Sequence, residues 1–337
     1  MNNIFTLLPI GMLGLASIWG NKLNPTSEGY MSKSYTNAIK GIMCVIIMYV
    51  HIPDKLTNSL QDIIGSFAYV GVFAFFAISS FGCRSSVDKN PNYLNGFWKK
   101  RILALFVPAV LINVTSFFFK LFALNTFEVR GLYAFNQYIY AIIVAYFVFW
   151  LVWKIEIISK DKKDWVVGLI CLLFSLLTYF SPVKLFFIWP TESVGFICGL
   201  ILYHRKKSIV RGLEYSRIAK TVTLFLLSGV LGILYMKFKF SFFVGGYVLR
   251  VILAVSLLLL LSEITMNISF EGKTIQTLGN SSYEFYLGHL VVISIVERMF
   301  PEISSGIFIT MVACITFISA VLVSRISNTV ISFLMRM

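Results

Sequence analysis

The chain has 337 residues, of which 58% are apolar and 13% charged, with a formal net charge of +14. Globular proteins carry roughly 45–50% apolar and about 25% charged residues. Too few charges therefore remain to cover a soluble core, and the composition excludes a pair of water-soluble domains. The positive charge lies in short clusters between apolar stretches (Lys99-Lys100-Arg101, Lys160-Asp161-Lys162-Lys163, Arg205-Lys206-Lys207) rather than on one face. That is the pattern of membrane-protein loops, and it argues against a nucleic-acid partner.

Apolar stretches near the length of a hydrocarbon span recur over about 4–20, 38–53, 63–82, 102–124, 137–153, 165–181, 186–203, 221–236, 242–262, 284–300 and 306–324. They predict an all-α fold, a polytopic integral membrane helical bundle of about 10–11 transmembrane helices in the lipid bilayer. The first stretch lacks the basic n-region and small-residue cleavage site of a signal peptide. It reads as a signal anchor or a membrane-surface helix. No fixed-period repeat or long soluble insertion interrupts the pattern, so one membrane-embedded domain is expected over 1–337. Within it, 1–34 form an extra helix and linker, and 35–337 form the core.

The five cysteines (Cys44, Cys83, Cys171, Cys198, Cys314) are scattered. Without metal-ligand spacing they read as buried small hydrophobes, and no metal site is expected.

Basic residues orient the bundle. If the loops around 22–40, 84–101, 154–164, 204–220 and 263–283 and the C-terminus are cytoplasmic, they hold 21 of the 29 Lys and Arg, against seven on the other side. The helix over 38–53 then runs outward, with His51 near the outer surface.

Polar groups at membrane depth are costly, so each invites a functional reading. Lys40 and His51 are eleven residues apart. At about 100° per residue this puts them on nearly the same helix face, about 16 Å apart along the axis. Lys40 alone reads equally well as a helix-end cation reaching for water, and His51 as an interfacial histidine before Pro53. Asp54 and Glu192 are the carboxylates that could fix the tautomer of an imidazole base, and Glu192 reads equally well as half of an ion pair. Ser282, Tyr286 and His289, at i, i+4 and i+7, form one polar stripe. For His289 a structural role between helices is expected, for Arg250 a buried carboxylate partner, and for His204 a loop position.

The segment from Lys40 to His51, a basic residue, ten intervening residues and a histidine, resembles the first conserved helix of the acyltransferase-3 family. So do Phe75-Phe76-Ala77-Ile78-Ser79-Ser80-Phe81-Gly82, Phe97-Trp98-Lys99-Lys100-Arg101 with Pro108, and the run from Leu278 to His289. Lysine at 40 stands where many members have arginine, Ser80 replaces a glycine, and the usual further arginine after Arg101 is absent. The likeness is strongest over 35–108 and 278–289.

The resemblance implies a multi-pass acyltransferase of the bacterial inner (cytoplasmic) membrane. It would move an acyl group, usually acetyl, from cytoplasmic acyl-CoA to a hydroxyl of an extracytoplasmic or lipid-linked sugar of a surface polysaccharide. Acetyl-CoA would be a donor substrate, with no tightly bound cofactor. His51 would then be the base or the acylated nucleophile, supported by Lys40 and Glu192. Arg84, Lys100, Arg101 and Ser79 would line the donor side, arginine suiting bidentate phosphate contacts. The alternative, a transporter or flippase of lipid-linked sugars, commonly shows paired halves with broken helices. No such symmetry is visible.

Overall fold

A helix that is apolar around its whole circumference must be enclosed by protein or lipid, and this chain builds both kinds. A computed structural model describes residues 5–18, 22–23, 30–181, 190–214 and 217–337. In chain order the elements are α1 (Leu8–Ile18), β1 (Lys22–Leu23), α2 (Lys33–Tyr49), α3 (Ser59–Gly65), α4 (Ala68–Lys89), α5 (Phe97–Leu124) and one-turn α6 (Arg130–Tyr133). Then come α7 (Gln137–Lys154), α8 (Lys160–Phe180), α9 (Pro190–His204), α10 (Lys206–Glu214) and α11 (Arg217–Phe238). A π-helical turn (Val244–Leu249) leads into α12 (Arg250–Asn267), followed by β2 (Ile268–Ser269), α13 (Lys273–Asn280), α14 (Ser282–Met299) and α15 (Ser305–Arg336). The two strands form one short antiparallel pair, Lys22 opposite Ser269 and Leu23 opposite Ile268. The fold is the expected all-α polytopic bundle.

Among the described residues, seven helical segments are long and apolar enough to cross a membrane; they contain α4, α5, α7, α8, α11, α12 and α15. Three more of the expected spans are α2, α9 and α14, with 17, 15 and 18 residues. These three carry Lys40, Glu192 and Glu284, so length or polarity sets them apart from lipid-facing spans. The stretch expected over 4–20 contains α1, whose 11 residues rise about 16 Å, too short for a hydrocarbon core of about 30 Å. α15 runs on past its apolar stretch to Arg336.

α4 is the axis of the bundle. Residues 68–77 are all buried, and α9, α2 and α12 pack around it. Small residues allow α9 to come closest. A Cβ on Gly195 would stand 2.2 Å from the Phe73 carbonyl oxygen, and one on Gly199 would stand 2.0 Å from the Ala77 carbonyl oxygen and the Ser80 hydroxyl. The Gly-x-x-x-Gly spacing places both glycines on one face, the device by which membrane helices approach backbone to backbone. α11, by contrast, is largely exposed and forms part of the lipid-facing rim.

The basic end of the bundle is tied by a polar lock. Arg84 on α4 donates from Nε to Asp164 Oδ2 on α8 at 2.6 Å and from Nη1 to Asp88. Its guanidinium carbon lies 4.7 Å from the Trp153 ring centroid and 4.8 Å from that of Tyr203. Asp164, 3% exposed, also accepts from Trp153 Nε1 at 3.0 Å and pairs with His204 Nε2 at 2.6 Å. Tyr203 donates to Asp88. Four helices (α4, α7, α8, α9) thus share one saturated carboxylate, and His204, expected in a loop, closes α9 inside this network.

Two stability predictions follow from these contacts, both read by thermal unfolding of detergent-purified protein. Gly199→Ala destabilises by about 2 kcal/mol or more, because its clash is with backbone that cannot yield, whereas Gly229→Ala, which meets nothing within 4 Å, leaves the midpoint almost unmoved. Asp164→Ala leaves Arg84 with Asp88 alone and strips Trp153 Nε1 of its acceptor, costing about 1–3 kcal/mol, while Asp164→Asn, which keeps an acceptor oxygen, costs less.

Candidate functional site

α2 begins at Ser32, whose hydroxyl accepts from the Tyr35 amide, and it ends at Tyr49. Pro53, which lacks an N–H and disfavours helix at Ile52, is why the helix stops. Gln61 on α3 takes the Tyr49 carbonyl left free at this end. His51 therefore lies two residues past the helix, in a turn where its amide still reaches the Met48 carbonyl at 3.1 Å. Its side chain is exposed. Asp54 opens the next turn, Asp54–Leu56, and is likewise exposed.

Beneath the exposed imidazole lies a buried one. The His289 ring on α14 is 5.0 Å from that of His51, centroid to centroid, inclined at 41°. His289 is 0% exposed. Its Nδ1 lies 3.4 Å from the Phe285 carbonyl, and its Nε2 is buried with no hydrogen-bond partner. One turn back on α14, Tyr286 stands 5.9 Å from His289, ring to ring, and donates to Asn136 Oδ1 at 3.0 Å. The polar stripe legible on α14 thus splits into three jobs, since Ser282 bonds locally to the Gly279 carbonyl at 2.8 Å.

From Tyr286 a polar seam crosses the bundle. The Tyr138 ring is 5.5 Å from Tyr286, and the Ser79 hydroxyl on α4 lies close to the phenols of Tyr138 and Tyr146. Tyr138 and Tyr146, eight residues apart on α7, share its buried stripe. At the far end, the Arg101 guanidinium carbon sits 4.8 Å from the Tyr146 ring centroid. Among the sequence-derived candidates, His51, Ser79 and Arg101 are thereby joined through tyrosines and His289.

Arg101 differs from Arg84 and Arg250 in its lack of a carboxylate partner among the described residues. It donates to the Tyr93 hydroxyl at 2.6 Å and the Cys83 sulfur at 3.2 Å. Its Nε, like that of Arg250, is sealed from solvent without a partner. Tyr93 does not neutralise it, because burial pushes that phenol up to about 12. Arg84 is instead saturated by Asp88 and Asp164. Lys100 is exposed.

The remaining candidates sit elsewhere. Glu192 Oε1 accepts from Arg250 Nη2 at 2.5 Å, and its Oε2 accepts from Thr191 at 2.6 Å, so Glu192 and the expected partner of Arg250 are the same residue. Arg250 also lies over the Tyr69 ring at 4.4 Å. Lys40 lies within electrostatic reach of Glu284, which stands close to Ser324 on α15. Lys40 thus faces a carboxyl group between α2 and α14, near the middle of α2 and remote from His51.

Sequence reasoning missed Asp164, Asn136, Tyr93, Tyr138, Tyr146 and Glu284. For Asp164 a signal existed, an acid inside a lysine cluster, but counting cations for topology passed over it. The tyrosines carried none, because a tyrosine in an aromatic helix looks like core.

A family model described as an acyltransferase domain, that of acyltransferase 3, matches residues 33–326. No curated protein and no solved structure matches the chain. The matched range opens on the first residue of α2 and closes within α15, so it encloses the two histidines, the tyrosine seam and Arg101. The chain belongs to the acyltransferase-3 family.

Proposed function

We propose that this multi-pass membrane acyltransferase is an O-acyltransferase. It takes acetyl or another short acyl group from acyl-CoA at the basic end of the bundle and passes it to a hydroxyl presented at His51, on a sugar of a surface polysaccharide or its lipid-linked precursor. The basic end faces the cytoplasm on this reading, in line with the skewed distribution of Lys and Arg, and the membrane is the bacterial inner membrane. The observation that carries the proposal is the seam itself. A cation without a carboxylate partner, Arg101, stands at one end, and an exposed imidazole, His51, stands at the other, with tyrosine and serine hydroxyls between them. Buried charge without a counter-ion is costly, and the phosphates of CoA supply the missing one.

In the direct route the acceptor hydroxyl oxygen attacks the thioester carbonyl carbon. The new C–O bond forms, the C–S bond breaks, His51 takes the hydroxyl proton, and that proton is returned to the departing thiolate. The products are an ester and free CoA. A sugar hydroxyl is a poor nucleophile at neutral pH, so a group titrating near neutrality is the right base. In the alternative route the imidazole itself carries the acyl group between donor and acceptor. Lys40, with Glu284, supports the middle of α2.

Purified protein in nanodiscs, given labelled acetyl-CoA and a polysaccharide or lipid-linked sugar acceptor, tests the proposal. His51→Ala abolishes detectable transfer while the protein accumulates normally, since loss of a general base alone costs about 10²–10⁴-fold. Lys40→Arg retains much of the activity and Lys40→Ala does not. Arg101→Ala raises KM for acyl-CoA by about 10–100-fold, as expected for lost hydrogen bonds to a charged group, and leaves the acceptor KM unchanged. A parent-like rate from His51→Ala sinks the mechanism, and an unchanged donor KM in Arg101→Ala removes that residue from the donor site.

A further inference from the structure

His289 does more than fill space under His51. A carbonyl oxygen can only accept, so the contact between His289 Nδ1 and the Phe285 carbonyl at 3.4 Å places the proton on Nδ1. In the neutral ring, Nε2 is then a bare lone pair, an acceptor. That lone pair is buried and unpartnered, an arrangement that folded proteins avoid unless a partner arrives during function. The ring facing it, at 5.0 Å, is the exposed imidazole of His51, which stands in a turn beyond the end of α2 and has no tautomer-fixing partner of its own among the described residues. Neither carboxylate considered for that task takes it, since Glu192 is held by Arg250 and Asp54 lies exposed in the following turn.

We propose that His289 is the positioning residue of His51: its Nε2 accepts a hydrogen bond from one N–H of the His51 imidazole in the working state, fixing the tautomer in which the other His51 nitrogen faces the acceptor hydroxyl. A relay then runs from the Phe285 carbonyl, through His289 Nδ1–H and Nε2, to His51. It performs with a neutral base the orienting task that a carboxylate performs in a hydrolytic triad. A neutral partner suits the site, because an ionised carboxylate at this depth would be costly to bury. The relay moves no net charge. His51 gains and loses the hydroxyl proton on its outward nitrogen, while the proton on its inward nitrogen stays shared with His289.

This inference rests on His51 being the catalytic imidazole, and the experiment separates the two. In the nanodisc transfer assay, His289→Phe keeps the packing and removes the acceptor. It lowers kcat by about 10²-fold with both KM values unchanged, the mark of an interaction realised in the transition state. His289→Gln, whose amide oxygen reaches the position of Nε2, retains activity within about tenfold of the parent, whereas His289→Asn, reaching only the position of Nδ1, falls with the phenylalanine variant. The Gln and Asn variants perturb the helix alike, so the contrast survives if His289→Phe fails to accumulate. Equal activity of Gln and Asn, or a parent-like kcat in His289→Phe, overturns the positioning role and leaves His51 in place. Should His51→Ala itself transfer at the parent rate, the underlying mechanism has failed instead.

Discussion

The approach of α9 to the carbonyls of α4 sets the geometry of the rest of the bundle. With side chains at Gly195 and Gly199 the two helices would be pushed apart, and α4 would lose its place as the shared wall. Because α4 is enclosed, its faces are assigned: Phe73 and Ala77 lie against α9, Gly71 contacts Met43 and Ile47 of α2, Phe75 meets Tyr286 of α14, and Ser79 meets the tyrosines of α7. Three helices that carry the polar residues of the site, α2, α14 and α7, are thus held against one rigid rod. In lipid, where no hydrophobic force drives helices together, such close packing is the means of holding a polar seam in register.

Within that frame, the arginines are sorted by what they are paired with. Arg84 meets two carboxylates and two aromatic faces, and Arg250 meets Glu192 and Tyr69. Both have the look of fixed ties between helices, since each removes its own charge from the apolar interior. Arg101 has a neutral phenol, a thiol and an aromatic ring. Its guanidinium is oriented but not neutralised, which is what an anion site requires before its ligand arrives. The distinction lies in partners on other helices, so no feature of the Arg84 and Arg101 sequence neighbourhoods could have separated them.

Much of the fold was legible because membrane solvation writes it in hydropathy. The spans of α5, α7, α8 and α11 follow directly from runs of apolar residues. The less regular helices were blurred by their function: α2 stops at Tyr49 because Pro53 follows, and α15 continues to Arg336 because a helix end outside the bilayer needs no apolar sequence. The site was half legible. Lys40 and His51 stand out as polar residues in an apolar stretch, and the His289 stripe was visible as a helical period. Which surface that stripe meets depends on the crossing of α2 and α14, where Gly41 and Gly279 let α13 close on α2, and periodicity within one segment carries no such information. His289, expected to tie helices together, has its ring 5.0 Å from that of His51.

The proposed transfer would have to reconcile two solvents, since a hydroxyl acceptor belongs to water and a thioester donor is best kept from it, because water competes as a nucleophile. The structure places an exposed imidazole directly over a buried one, so the boundary between wet and dry falls between His51 and His289. As the proposed base, a ring beyond the end of its helix would meet an acceptor too large to enter the bundle. Its partner, locked into α14 with one ring nitrogen turned to the helix backbone, cannot follow the solvent side. An exposed ring outside and a buried ring inside would let the proposed site serve a bulky polar acceptor and an activated acyl group without opening the bundle to water.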